Sequence, residues 1–214
     1  MSRILAISGS LRKGSHNTAL LRALPPLLPA GMELTHYGDL SGVPLYNADL
    51  DTAAPPPEVA RLRREIAAAD GLILAVPEYL HAVPGVVKNA IDWASRPFTA
   101  PALAGKAVLV LVATTGRTSG FRSLADTAQV LAGLRNIVVP VPEVVVQDAE
   151  RALHTAADGT PSLADPATRA LIGVQLAMLG DLVDSGAPAS LESSFRRRTA
   201  EFLGIPAAPA RTRE

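Results

Sequence analysis

Two stretches, "GLILAV" at 71–76 and "AVLVLVAT" at 107–114, are apolar at nearly every position. A strand with one wet face alternates apolar and polar residues. A strand that does not alternate is covered on both faces, as in a parallel sheet sandwiched between helices. "ILAI" (4–7) repeats the pattern, and "ELTHY" (33–37) and "NIVVPV" (136–141) complete a set of five predicted strands. Helix-period stretches lie between and after them, at roughly 17–28, 57–69, 84–95, 120–135 and 166–184. Alternating strand and helix predicts a doubly wound α/β sandwich with a five-stranded parallel sheet. Pro140 and Pro142 cannot donate to a ladder, so the fifth strand belongs at an edge. The sheet order 2-1-3-4-5 puts it there. Residues 1–186 form the expected main domain, with a long surface loop at 38–58 and a turn-rich stretch at 154–166. Residues 187–214 form a C-terminal extension, a short helix near 191–203 followed by a frayed tail.

Composition removes several function classes. Twenty Lys and Arg balance twenty Asp and Glu, so the chain lacks the cationic excess of a nucleic-acid binder. Arg196, Arg197 and Arg198 read as a solvated helix face. With no cysteine there is no disulfide, thiolate metal site or cysteine nucleophile. His16, His36, His81 and His154 are scattered, without metal-ligand or Ser-His-Asp spacing. No apolar run reaches membrane-spanning length, and the N-terminus has no signal-peptide pattern, so a soluble cytoplasmic protein is expected.

Ligands of open α/β sheets sit outside the carboxyl ends of the strands. "GSLRKGSHN" (9–17) follows the first strand. Ser10, Ser15 and Thr18 offer hydroxyls, Asn17 an amide or a cap, and Arg12 and Lys13 positive charge, a set that suits a phosphate. Two nucleotide motifs fail here. After Gly9 and Gly14 come Ser15 and His16 rather than the Lys-Ser/Thr of a P-loop, and Leu11 stands where a dinucleotide fingerprint needs its second glycine. A capped turn without a ligand is the competing reading. "PEYLHAVPGVVKNAIDWASRP" (77–97) follows the third strand, with Val83, Val87, Ala90, Ile91 and Ala94 on one helical stripe facing the sheet. Lys88 and Asp92 are spaced to pair, and Trp93, off the stripe, is either ordinary packing or an anchor for a second subunit. Glu78 and Asp92 make no convincing acid/base couple, because nothing fixes their separation. "TTGRTSGFRS" (114–123) follows the fourth strand. The three loops share one rim.

The pair "GSLRKGSHN" and "PEYLHAVPGVVKNAIDW" resembles the NADPH-dependent FMN reductase family, flavodoxin-like enzymes that include azo-, quinone- and chromate-reducing members. The family patterns are G-S-L-R-x-x-S-x-N and P-E-Y-N-x-x-x-P-G-x-L-K-N-A-x-D-W, and the likeness covers most of residues 1–145. The resemblance implies that Ser10, Arg12, Ser15, Asn17 and Thr18 hold the FMN phosphate. It implies that Pro77, Glu78, Tyr79 and Leu80 lie along the isoalloxazine ring, and that Thr115, Gly116 and Arg117 approach its pyrimidine side. It also implies NADPH or NADH as hydride donor, a small-molecule electron acceptor, and a homodimer or homotetramer. The flavin carries the chemistry, so no catalytic residue or metal is required of the protein. Arg117 is the candidate for stabilising negative charge on the reduced flavin. The chain departs from the pattern at Leu80, where the family has asparagine. It departs at Arg117, which follows Gly116 where the family has consecutive glycines, and at Val87, where it has leucine. A flavodoxin-like electron carrier competes with the reductase reading. Such carriers tend to be strongly acidic, and this chain is neutral. A flavin-free fold used for regulation or protein contacts is the other competitor.

Overall fold

The computed structural model describes residues 1–116, 120–140, 143–157 and 159–205. Its central sheet contains β1 (Ser2–Ser8), β2 (Met32–His36), β3 (Gly71–Ala75), β4 (Ala107–Ala113) and β5 (Ile137–Val138), in the order β2-β1-β3-β4-β5. Every pairing in that path is parallel. This is the expected doubly wound sheet.

The lack of alternation in β3 and β4 has the expected cause. Their even- and odd-numbered side chains serve two separate cores. Leu72, Leu74, Val108, Val110 and Val112 face α2 (Pro57–Ala68), α3 (Gly85–Ala94) and α4 (Phe121–Ala132). Ile73, Ala75, Leu109 and Leu111 face α1 (His16–Arg22) and α6 (Pro166–Ser185). Helix α6 closes the second face through Ile172, Leu176 and Leu179, all fully buried. Burying each such side chain is worth about 1.5–3 kcal/mol.

Four elements depart from the sequence reading. Helix α1 stops at Arg22 rather than near residue 28, because Pro25 and Pro26 cannot continue it, and a 3-10 turn (Pro25–Leu27) follows. The fifth strand is broken. The Val139 amide still reaches the Val108 carbonyl at 2.8 Å, but Pro140 has no amide to give. A second short strand, β6 (Val145–Val146), then takes over the end of β4. Val141 and Pro142 lie outside the described residues. The stretch read as turn-rich folds after a short α5 (Ala149–Ala152) into an antiparallel hairpin, β7 (Leu153–Thr155) and β8 (Pro161–Leu163), whose buried Leu153 and Leu163 pair directly. The terminal helix α7 is longer than expected, Ala187–Leu203, because Gly186 at φ +64 allows a new helix to start at once. Glu192 holds α7 to the rest through Arg135, and it also pairs with Arg196 on its own helix at 2.6 Å.

Candidate flavin site

Register brings the predicted loops together. Ser8 pairs with Ala75, and Ala75 pairs with Leu111, so β1, β3 and β4 end side by side. The Gly9 amide continues the ladder to the Ala75 carbonyl at 2.8 Å, and the Val76 amide continues it to Leu111 at 2.8 Å. Gly9 has no room for a side chain. A Cβ there would lie 2.5 Å from Val87 Cγ2 and 3.2 Å from both the Ala75 carbonyl and Pro77 Cδ. The first loop is thereby pressed against the start of the second.

The first loop is organised by its own hydroxyls. Ser15 caps α1 by accepting the Thr18 amide at 3.2 Å, and the hydroxyls of Ser8 and Thr18 share a hydrogen bond at 2.7 Å. The Ser10 hydroxyl accepts weakly from the Arg12 amide at 3.4 Å. Arg12 makes no side-chain ion pair or hydrogen bond among the described residues, so its guanidinium is available to an anion. The first-turn amides of α1 have no intrahelical acceptor. This donor set fits a phosphate. Asn17 does something else. It is only 3% exposed, donates its side-chain amide to the Ala113 carbonyl at 2.8 Å, and accepts the Ala113 amide at 2.9 Å. Its amide clasps the first loop to the end of β4, which makes it a positioning residue for the rim.

The second loop turns tightly. Tyr79 and Ala82 exchange backbone hydrogen bonds at 3.4 and 3.2 Å, while Leu80 and His81 occupy the turn at φ +48 and +64. Asparagine is at home at such positive φ and leucine is not, so the departure at Leu80 carries local strain. Tyr79 is 54% exposed and Leu80 is 93% exposed, offering an apolar lip at the rim. Glu78 points the other way. Its side chain is 4% exposed, and its Oε2 accepts the amides of Gly120 at 2.7 Å and Arg122 at 3.1 Å. Burial alone would raise its pKa. The Gly120 amide, the His81 ring and the amides of Ser123 and Arg122 outweigh that and hold the carboxyl below its ordinary value. Glu78 therefore caps α4 from across the rim, where Gly120, at φ +110 and crowded by Val145 and Val112, has no side chain to do so. The His81 Nδ1 lies 3.4 Å from Glu78 Oε1 and 2.7 Å from Arg122 Nη1, so the ring joins the same cluster.

In the third loop the Gly116 amide donates to the Thr114 hydroxyl at 3.1 Å, and Thr115 sits between them at the rim. Arg117 lies outside the described residues. Asp92 belongs elsewhere: it takes Lys88 Nζ at 2.7 and 2.9 Å, the expected pair, while Glu78 serves α4. Trp93 is fully buried, donates to the Pro44 carbonyl at 2.7 Å and packs edge-on against Tyr46, so its packing is within this chain. Sequence reasoning missed Asn89. It is a buried polar residue that accepts the Tyr46 amide at 2.8 Å and donates to Pro44 at 2.9 Å, tying down the long loop after β2. Its only sequence signal was an amide among the apolar residues of α3.

A family model described as NADPH-dependent FMN reductase matches residues 2–151. The chain belongs to that family. An NAD(P)H-dependent FMN reductase of Pseudomonas aeruginosa is 42% identical over 177 residues, covering 83% of this chain and 92% of the relative. A quinone reductase of Escherichia coli K12 is 40% identical over 142 residues, covering 66% and 75%. Among solved structures, the flavoenzyme NAD(P)H:acceptor oxidoreductase FerB from Paracoccus denitrificans superposes with a TM-score of 0.77 at 30% identity, covering 87% of this chain and 99% of that one. FMN is the cofactor of the family, and the hydroxyl-rich first loop with Arg12, which has no side-chain partner among the described residues, fits the phosphate end of that group.

Proposed function

We propose that this chain is an FMN-dependent NAD(P)H oxidoreductase whose acceptor is a small quinone-type molecule. The observation that carries the reading is the single rim formed by the ends of β1, β3 and β4, with a polar anion-suited loop and an exposed apolar lip together on it. When bound, FMN supplies a centre that takes a hydride and returns electrons. The remaining work belongs to the protein. Ser10, Arg12, Ser15 and Thr18 hold the phosphate, and Asn17 fixes the loop that carries them. Pro77, Tyr79 and Leu80 line the ring, while Glu78 holds the second loop to the start of α4. Thr115 and Gly116 approach the pyrimidine side. No side chain on the rim has to exchange a proton with substrate, in keeping with the engagement of Glu78 as a cap.

The names of the P. aeruginosa and E. coli relatives support flavin and quinone acceptors in turn. The same reading takes the protein as a cytoplasmic homodimer or homotetramer. Exposed Leu191, Phe195 and Phe202 on α7 favour self-association, and among the described residues no single helix is long and apolar enough to cross a membrane. The test is steady-state NADPH and NADH oxidation by FMN-loaded protein, with and without a benzoquinone. Quinone-stimulated oxidation is the expected result. Tight FMN binding with no NAD(P)H oxidation would instead make the protein an electron carrier.

A further inference from the structure

Helix α6 is apolar on both sides. Its inner side is the buried row Ile172, Leu176 and Leu179. Its outer side carries Ala167, Ala170, Leu171, Val174 and Ala177, all exposed, with half-buried Met178 at the margin. Leu171 is 43% exposed and Val174 50%. A helix lying on a sheet ordinarily turns charged residues to solvent. Between Pro166 and Gly180 the one charged residue is Arg169, and its guanidinium is turned back onto the Leu163 and Ala164 carbonyls, at 2.6 and 2.9 Å. Charges return at Asp181 and Asp184. Ala167, Leu171, Val174, Met178 and Asp181 recur at alternating four- and three-residue steps, the spacing by which one helix packs along another.

This row is complementary to itself in one direction. A two-fold axis through Val174 sets a second α6 antiparallel to the first. Leu171 then lies level with the second copy's Ala177, Ala170 with its Met178, and Ala167 with its Asp181. Each bulky apolar side chain faces an alanine, so the helix axes can approach to about 8 Å, the near end of the usual range. Asp181 comes level with the first turn of the opposite helix, whose free amides favour an anion. In a parallel pair Leu171 faces Leu171 and Asp181 faces Asp181, crowding the one and repelling the other. We propose that the outer face of α6 is an interface between two copies of this chain, packed antiparallel about Val174. A closed two-fold contact of this kind uses the same patch on both copies. The interface rests on the self-association reading and names where, and in which direction, two copies meet; its residues are distinct from Leu191, Phe195 and Phe202 of α7.

The chain has no cysteine, so an introduced one reports its own neighbours. In the full chain Val174→Cys sits on the axis and is expected to form a disulfide-linked dimer under mild oxidation. Ala167→Cys is expected not to, because residues 167 of two antiparallel copies stand about 21 Å apart along helices that rise about 1.5 Å per residue. Val174→Glu, at an exposed position, should keep the parent's circular dichroism. It should raise the dissociation constant read by sedimentation velocity roughly tenfold or more, since association now buries two facing carboxylates. The proposal is overturned if Val174→Glu assembles like the parent, if Val174→Cys does not cross-link, or if Ala167→Cys cross-links as readily, the mark of parallel helices. It is also overturned if Val174→Glu keeps the parent's mass but releases the protein from phosphatidylcholine–phosphatidylglycerol vesicles, which assigns the face to lipid. A parent that is monomeric at every concentration sinks the self-association reading as a whole. A parent that assembles, with Val174→Glu assembling alike, sinks this interface alone. Neither flavin nor NAD(P)H enters the readout, so failure of the flavin assignment is seen separately.

Discussion

Replacing Glu78 tests how the rim is held together. Its carboxylate accepts the Gly120 and Arg122 amides at 2.7 and 3.1 Å from a side chain only 4% exposed. Glu78→Ala removes the only side-chain cap of α4 among the described residues, leaving the Gly120 and Arg122 amides without their anionic acceptor. Loss of a cap costs about 0.5–2 kcal/mol, and a hydrogen bond to a charged group is worth about 1.5–3 kcal/mol. These overlap, so about 2–3 kcal/mol is expected in all. For a chain of this size that is a fall in Tm of about 5–10 °C. Glu78→Gln keeps an acceptor oxygen and loses the charge, so it should fall by about half as much. Because Gly120 closes the third loop, FMN affinity should drop along with stability. Thermal unfolding followed by circular dichroism gives the first quantity and quenching of FMN fluorescence the second. If Glu78→Ala melts within 1 °C of the parent, the cap contributes nothing and the reasoning is refuted.

Four other outcomes follow from the same geometry. Leu80→Asn should stabilise the protein by about 0.5–1 kcal/mol, since asparagine tolerates φ +48 and the leucine side chain is 93% exposed; a lower urea midpoint would contradict the assignment of strain. Gly9→Ala should destabilise by about 1–3 kcal/mol through contact with Val87, and Val87→Ala in the same chain should recover part of that loss, as chemical denaturation would show. Asn17→Ala leaves the buried amide and carbonyl of Ala113 without partners and should cost about 2–4 kcal/mol, with weaker FMN binding measured on the folded fraction. Glu192 gives an acid dependence. Burial would raise its pKa, but Arg135 and Arg196 lower it overall, so the stability it contributes is complete above the ordinary carboxylate value of about 4.3 and is lost as pH falls through the lower folded value. Glu192→Gln should flatten that part of the stability profile.

Most of the fold was legible because β1, β3 and β4 are apolar on both faces, a pattern that few other arrangements explain. The fifth strand was legible as an edge from its prolines, but where it breaks depends on which amides β4 needs at Val108 and Val112, and that is a matter of register. The β7–β8 hairpin was missed because strands of three residues carry no usable period. Each is anchored mainly by one leucine, and only their pairing shows that Leu153 and Leu163 belong together. At the rim, the residue types of the first loop announced an anion. The partners of Asn17 and Glu78 did not show, because both side chains bond to backbone, 96 and 42 residues away respectively, and a backbone amide has no sequence signature. The positive φ at Leu80 was hidden for a related reason: the residue present is the wrong one for the turn it makes.

The central claim is that this rim holds FMN and delivers NAD(P)H to it. The most direct measurement is the visible absorbance of FMN-loaded protein before and after anaerobic addition of NADPH. Bleaching of the flavin band, reversed by a benzoquinone, is the predicted result. A flavin band that stays unchanged under NADPH and NADH alike, in protein that has bound FMN stoichiometrically, would contradict the account.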